Sequence, residues 1–210
     1  KNNTNHKIMK YRLFSLILCG GKGSRLKNIG KKIPKCLIKI NRKYFIKYIL
    51  SGLSNDFIDK IIISGFHKFD ILNKTLSKLR IKNLFVYNDG DISILNRIKK
   101  TLDKENENLL VCYGDEYANV NLKKLIKSHV KSKKLLTITT IKLKSNFGLL
   151  KKVNKKLKFI EKPNIGDCNI GYMIFDKKNI QFIKNQKSLP NYINKLVSLN
   201  EVNIFSHKKN

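Results

Sequence analysis

Short runs of β-branched and apolar residues alternate along the first part of the chain with amphipathic stretches. Turn signals bound the strand-like runs, which are residues 13–19, 60–65, 83–88, 109–114 and 135–143. Between these runs, apolar residues recur at the three- and four-residue spacing of helices over residues 44–53, 69–79, 92–102 and 122–130. Strands that alternate with helices favour a mostly parallel sheet with helices on both faces. We therefore expect an α/β fold.

The alternation changes at about residue 145. Strand-like runs then follow one another with little helix between them, at residues 147–153, 156–162 and 169–175. Two further stretches have helical spacing and a last one has strand composition, namely residues 178–185, 189–199 and 201–206. Because there is no internal repeat and no long linker, we expect one domain over residues 1–210 with a small β-rich extension after residue 144.

The net charge of +31 would normally indicate nucleic acid or an anionic membrane. Only five of the 45 basic residues are Arg, however, and Lys is abundant along the whole chain. Nucleic-acid readers favour the planar guanidinium and interleaved aromatic rings, and no such stripe occurs here. An anionic small substrate is therefore expected, with no specific nucleic-acid partner; tight, salt-sensitive polynucleotide binding is the rival prediction.

The beginning of the chain has two interpretations. Residues 1–12 are basic and residues 13–19 are apolar, which is also typical of a short secretory leader ending at Cys19. Leu18, however, stands where leader cleavage needs a small residue, and no apolar stretch reaches the roughly 18 to 20 residues that span a bilayer. The four cysteines lack zinc-site spacing and disulfide-scaffold density. We expect reduced thiols, a cytoplasmic protein and no membrane partner.

The first strand-like run leads directly into Gly20, Gly21, Lys22 and Gly23. Ligands of α/β proteins bind at the carboxyl ends of strands, where glycines let backbone N–H groups approach a phosphate or a base. Arg25 then supplies a guanidinium that can chelate phosphate oxygens. The spacing is neither that of a P-loop nor that of a dinucleotide-binding motif. Taken alone, these residues indicate either a plain Gly-rich turn or a phosphate-binding loop.

Four motifs follow the Gly-rich loop in a fixed order. Residues 18–49, LCGGKGSRLKNIGKKIPKCLIKINRKYFIKYI, contain GGxGxRL, then PK, then an apolar segment and an amphipathic helix. The later motifs are VCYGDE at 111–116, FGLL at 147–150, FIEKP at 159–163 and NIGYMIF at 169–175. Together they resemble the sugar-phosphate nucleotidylyltransferases, which make nucleotide-sugars. The resemblance implies a Rossmann-like fold of the nucleotide-diphospho-sugar transferase type, with nucleotide bound by residues 13–144 and sugar by residues 145–210.

The resemblance implies that the phosphate of a sugar 1-phosphate attacks the α-phosphorus of an NTP and that pyrophosphate leaves. Such a nucleophile is already an anion, so no Ser, Cys or His has to be activated. The catalytic residues implied are Arg25, Lys35 and Lys162, and Asp115 is the implied ligand of Mg2+. The implied nucleotide-binding residues are Leu18, Gly20, Gly21, Lys22, Gly23 and Ser24, and the implied sugar-binding residues are Gly148, Glu161, Asn169 and Gly171.

Each of these assignments has a structural alternative. Asp115 also suits a turn or a helix cap, and Glu161 with Lys162 also suits an ordinary charged turn. Gly148, Asn169 and Gly171 could simply terminate strands. Lys22 and Ser24 could be loop residues with solvated side chains. The four histidines show no metal-ligand spacing and are expected at the surface: His6, His67, His129 and His207.

The chain departs from the family pattern at two places. Residues 88–100 lack the Gly-Thr or Gly-Gly pair that completes the nucleotide pocket in the family. Arg97 and Lys99, however, resemble helix positions found in the cytidylyl- and guanylyl-transferring branches of the family. CTP or GTP is therefore favoured. The sequence stops at about the place where the family's second metal-binding aspartate would follow, and Glu201 is the only late acidic residue. Three explanations stay open. Mg2+ could be coordinated by one carboxylate and substrate phosphates, or the sequence could be truncated. The chain could also be a nucleotide-binding relative without activity.

Two further points stay open from the sequence. Related transferases share the Gly-rich loop and the PK motif, so the acceptor could instead be another phosphorylated alcohol such as phosphocholine. The oligomeric state, including a homo-oligomer, and the identity of the sugar are not disclosed by the residues.

Overall fold

The computed structural model describes residues 11–23, 30, 32–154 and 156–207. Its eleven strands are β1 Leu13–Cys19, β2 Lys39–Ile40, β3 Lys43–Tyr44, β4 Ile58–Gly65, β5 Leu84–Asn88, β6 Leu109–Tyr113, β7 Leu136–Lys144, β8 Leu149–Val153, β9 Lys156–Ile160, β10 Asn164–Phe175 and β11 Val202–Ser206. Its α-helices are α1 Phe45–Leu53, α2 Phe69–Ser77, α3 Ile94–Glu105, α4 Leu122–Ser132, α5 Ile180–Ile183 and α6 Leu189–Ser198. Two 3-10 turns cover Lys35–Leu37 and Lys177–Asn179.

Seven strands form one mixed sheet in the order β11-β7-β10-β6-β1-β4-β5. Strand β1 lies near the centre and pairs in parallel with β4 on one side and β6 on the other. Only β10 runs against its neighbours β6 and β7 within this sheet. The expected mostly parallel sheet flanked by helices is therefore confirmed.

The two faces of the sheet bury separate apolar layers. Strand β1 contributes to both, because Ile17 packs with α1, α2 and α4, whereas Leu16 packs with α3 and α6. Both of these side chains are completely buried. A strand covered on both faces reads as a continuous apolar run, which is why residues 13–19 show no polar alternation.

The β-rich part after residue 144 contributes to two sheets. Strand β10 starts at Asn164 and enters the main sheet between β6 and β7, so it is part of the central layer. Strands β8 and β9 form a separate two-stranded ribbon. Residues 178–185 are largely a 3-10 turn followed by the four-residue helix α5.

The expectation that all four histidines lie at the surface is wrong for His129. This residue is 3% exposed on the inner face of α4, where its Nδ1 lies 2.7 Å from Thr137 Oγ1. His67 is partly buried and contacts the carbonyl oxygen of Gly30 at 3.1 Å. His6 lies outside the described residues.

No helix in the described part of the chain is both long and apolar enough to cross a membrane.

Candidate active site

A cavity of about 520 Å3 opens at the carboxyl ends of the parallel strands. Its walls come from the end of β1, from the loop between β5 and α3, and from the turn after β6. The chain passes from β1 outwards to β4 and β5 and then returns to the other side of β1 with β6. This reversal is a topological switch point, where open α/β sheets bind ligands.

Lys35 and Asp115 meet at one end of this cavity although 80 residues separate them. Lys35 Nζ lies 2.9 Å from Asp115 Oδ2, and their side chains are 28% and 44% exposed. Lys35 begins the 3-10 turn after Pro34, and Asp115 follows β6 directly. The amide of Gly114 donates to the carbonyl oxygen of Leu18 at 3.0 Å and holds this turn against β1. The structure thus brings together the residues for which the sequence predicts phosphate and metal binding.

The Gly-rich loop forms the wall between the two ends of the cavity. Gly20 and Gly21 both line it, as do Leu18 and Lys22. A Cβ on Gly20 would lie 2.5 Å from the guanidinium carbon of Arg97, whereas a Cβ on Gly21 would have no neighbour within 4 Å. Only glycine fits at position 20, because the Arg97 side chain occupies that space.

Arg97, which the sequence links to the choice of nucleotide without assigning it to the site, lines the same cavity. It is 4% exposed and donates hydrogen bonds to Ser64 Oγ at 2.7 Å, to the carbonyl oxygens of Gly65 and Ile92 at 3.1 and 3.3 Å, and to that of Gly90. Burial lowers the pKa of this guanidinium, and the carboxylates of Asp89 and Asp91 oppose the shift. The side chain therefore fixes the β5–α3 loop against the end of β4.

The other end of the cavity carries a second pair of opposite charges. Lys22 Nζ lies 2.8 Å from Asp91 Oδ2, and both side chains are 64% exposed. Asp91 was not singled out from the sequence, where the Asp-Gly-Asp stretch after β5 has the composition of an ordinary turn. Its position three residues after β5, at the carboxyl edge of the sheet, was the available signal.

A second cavity of about 400 Å3 lies beside the first, between the turn after β6 and strand β10. Its lining includes Glu116, Asn169 and His207. Asn169 Oδ1 accepts a hydrogen bond from the amide of Gly171 at 2.9 Å, and Gly171 has a φ of +77°. Burial and the nearby Asp115 raise the pKa of Glu116, whose carboxylate lies against Gly171. Two of the predicted sugar-binding residues therefore belong to this neighbourhood.

Three of the remaining predicted residues, Gly148, Glu161 and Lys162, line neither cavity. Glu161 and Lys162 are exposed in the turn that follows β9, and neither of the two cavities above includes them. Gly148 packs beneath the ring of Phe159 in the β8–β9 ribbon. Gly23 is in the left-handed region with a φ of +67°. Arg25 and Ser24 lie outside the described residues, so their predicted roles stay predictions.

The donor set of the main cavity limits which metal it could hold. No group of three or more His, Cys, Asp or Glu side chains suited to a metal ion occurs among the residues that the structure describes. Two carboxylates line the cavity: Asp91 pairs with Lys22, and Asp115 lies beside Lys35. The neighbouring Glu116 turns towards Gly171, so Asp115 is the carboxylate at the Lys35 end. One carboxylate supplemented by phosphate oxygens and water is a donor set that Mg2+ accepts. The site therefore fits Mg2+ held jointly with a phosphorylated substrate.

Comparison with known proteins gives one family. The model of the nucleotidyl transferase family matches residues 14–208. A D-glycero-alpha-D-manno-heptose 1-phosphate guanylyltransferase of Campylobacter jejuni is 32% identical over 53% of this chain, and one of Aneurinibacillus thermoaerophilus is 27% identical over 78% of it. The chain spans 51% and 74% of the lengths of these two relatives. The structure of HddC from Yersinia pseudotuberculosis superposes with a TM-score of 0.69 at 24% identity, covering 92% of this chain and 90% of that one.

Proposed function

The chain belongs to the nucleotidyl transferase family, and on that premise we propose that it is a sugar-1-phosphate nucleotidylyltransferase. It transfers a nucleoside monophosphate from an NTP, with CTP or GTP favoured, to a sugar 1-phosphate and releases pyrophosphate. The product is a nucleotide-sugar. We propose further that the reaction depends on Mg2+ and takes place in the cytoplasm. Its product would be used in the synthesis of cell-surface polysaccharides.

The observation that carries the proposal is the meeting of Lys35 and Asp115 beside a glycine backbone in one cavity at the switch point of the sheet. A cation and backbone amides can hold the phosphates of a triphosphate, and a carboxylate can hold the Mg2+ that binds the phosphate oxygens. The two charges also pair with each other, so neither is an isolated charge before substrate arrives.

The chemistry asks little more of the protein. A sugar 1-phosphate is an anionic nucleophile, so the protein has to bring two polyanions together in line and stabilise the charge that develops on the phosphoryl group. Lys35 supplies positive charge at the phosphates, and Asp115 would hold Mg2+, which neutralises phosphate oxygens when it is bound. The second cavity offers the amide of Asn169 and the carboxylate of Glu116 to sugar hydroxyl groups.

The test is a pyrophosphate-release assay of the purified chain with ATP, CTP, GTP, UTP and dTTP, each combined with a panel of sugar 1-phosphates and with phosphocholine. Release that needs both substrates is expected with a sugar 1-phosphate. Lys35→Gln should lower the rate at least about a hundred-fold, the usual loss for one charge-stabilising group. Lys43→Gln is the matched control, because Lys43 is exposed on β3 outside the cavity.

Two results would contradict the proposal. Release that requires phosphocholine would assign a different acceptor. A folded protein that binds NTP without turnover in any combination would be a binding relative of the family.

A further inference from the structure

The two charged pairs divide the main cavity into ends of different chemistry. Asp115 and Lys35 form the end beside β6, while Asp91 and Lys22 form the end beside the β5–α3 loop. Under the proposed function the phosphates lie at the Asp115 end. The opposite end adds the apolar side chains of Ile92 and Ile94 to the lining, together with the buried Arg97. A planar, uncharged base suits that end better than a phosphate does.

Most hydrogen-bonding groups of the β5–α3 loop are already in use. Arg97 donates hydrogen bonds to the carbonyl oxygens of Gly90 and Ile92. Asp89 accepts hydrogen bonds from Ser64 Oγ and from Lys100 Nζ, and its side chain is only 7% exposed. Asp91 is different, because its carboxylate is 64% exposed, lines the cavity and contacts only the equally exposed Lys22 among its described polar partners.

A carboxylate at this place discriminates strongly among bases. An ionised carboxylate only accepts hydrogen bonds and can accept two parallel ones. Guanine presents two adjacent donors, N1–H and the N2 amino group. Adenine and cytosine place a ring acceptor beside their amino donor, and uracil and thymine flank one N–H with two carbonyl oxygens. A carboxylate facing any of these bases would meet a repelling acceptor, which selects against them.

Arg97 complements the third group on the same edge of guanine. A guanidinium carries five N–H donors. Four hydrogen bonds leave one N–H of the Nη2 group without an acceptor among the described residues. Because Arg97 lines the cavity, that N–H is available to the O6 carbonyl of guanine.

We infer that Asp91 reads the base of the nucleotide and selects guanine, with Arg97 as the donor to O6; the inference rests on the function proposed above. Lys22 pairs with the carboxylate of Asp91 that the base would face. Exposed pairs of this kind contribute about 0 to 1 kcal/mol, so guanine displaces Lys22 at little cost. Lys22 is then free to contact the triphosphate.

The experiment measures kcat/KM with GTP, ITP, XTP, ATP, CTP and UTP at one sugar 1-phosphate, for the wild type and for Asp91→Asn. The wild type should prefer GTP over ITP, which lacks the N2 amino group, by about ten- to a hundred-fold, the factor for one hydrogen bond to a charged group. Asp91→Asn should lose GTP turnover by a similar factor. It should gain XTP turnover, because an amide N–H2 can donate to the C2 carbonyl of xanthine.

Asp103→Asn is the control, because Asp103 is exposed on α3 and lies outside the cavity. This variant should keep the wild-type order of nucleotides. In parallel, displacement of a fluorescent guanine nucleotide by GTP, ITP, XTP and ATP measures base selectivity without turnover. The displacement order should match the kinetic order and should change in Asp91→Asn.

The two proposals fail separately. Transfer that favours another base, or an unchanged ratio of GTP to ITP in Asp91→Asn, would overturn the role of Asp91 and leave the proposed function in place. Guanine-selective displacement that Asp91→Asn converts to xanthine selectivity, without pyrophosphate release from any sugar 1-phosphate, would support Asp91 and overturn the proposed reaction. Displacement without base selectivity would overturn the role of Asp91.

Discussion

His129 should make the stability of this protein depend on pH. Its imidazole lies inside the fold beside Thr137, with the ring of Tyr11 edge-on at a centroid distance of 5.9 Å. Asn203 of β11 donates to the same Thr137 hydroxyl at 3.2 Å. Burial lowers the pKa of His129 from 6.5 to about 4, and the distant charge of Asp176 only partly opposes the shift. Folding therefore favours the neutral ring.

The sign of the effect follows from proton binding. The unfolded chain takes up the proton near pH 6.5 and the folded chain near pH 4, so the unfolded state binds more protons between these values. The contribution of His129 is complete above pH 6.5 and is lost as pH falls towards 4. One pKa unit corresponds to about 1.4 kcal/mol, so the full loss is at most about 3.5 kcal/mol, of which about 2 kcal/mol falls between pH 7 and pH 5.

Urea unfolding at pH 7 and pH 5 measures this loss. His129→Gln keeps an amide that can hydrogen-bond to Thr137 and removes the titrating group. The wild type should therefore lose about 2 kcal/mol more than the variant between the two pH values. His67→Gln, at the partly exposed contact with Gly30, should keep the wild-type dependence. An equal loss of unfolding free energy in the wild type and in His129→Gln would refute the reasoning.

Two further predictions concern the cavity. Gly20→Ala should lower the free energy of unfolding by about 1 to 3 kcal/mol, the cost of overpacking, because the new Cβ meets the anchored Arg97. Gly21→Ala should leave the free energy of unfolding unchanged, because a Cβ there has no neighbour within 4 Å. Thermal denaturation compares the two variants, and equal midpoints would contradict this prediction. Asp115→Asn should lower transfer at least about a hundred-fold and raise the Mg2+ concentration needed for half-maximal rate, and a variant with wild-type metal dependence would show that Asp115 does not hold the metal.

The sheet was predictable because its signals are local. The run of residues 13–19 is apolar at every position but one, and β1 has the predicted boundaries. The start of α3 at Ile94 was not predicted. Ser93 caps this helix by accepting a hydrogen bond from the amide of Asn96 at 3.2 Å, so residues 92 and 93 belong to the loop although Ile92 continues the apolar spacing.

Two buried polar side chains show which cases of burial helical periodicity predicts and which it does not. His129 stands seven residues after Leu122 and four after Leu125, on the apolar face of α4, so helical spacing did indicate burial. Arg97 is harder to predict, because a basic residue beside a stripe of Leu95 and Ile98 normally extends into solvent. Its burial depends on carbonyl oxygens at the end of β4, which are distant in sequence.

The pairing of Lys35 with Asp115 was predictable only through the order of motifs, since no local rule joins residues 80 positions apart. The placement of Lys162 could not be predicted in the same way. It follows the β8–β9 ribbon, whose strands pair with each other and not with the main sheet. The position of the ribbon relative to the cavity is therefore set by a few turn residues, and no periodic pattern encodes it.

Acidic residues are scarce in this chain, and several of them lie close together. In a chain with 14 acidic and 45 basic residues, Asp89, Asp91, Asp115 and Glu116 all gather at the carboxyl edge of the sheet. Two of them, Asp91 and Asp115, hold lysines in the cavity that the proposed substrate would engage through its phosphates. Under the proposed function, an entering triphosphate would take over these lysines from the carboxylates. This exchange would free Asp91 for a base and Asp115 for a metal ion in the same event, so nucleotide binding itself would complete both ends of the site.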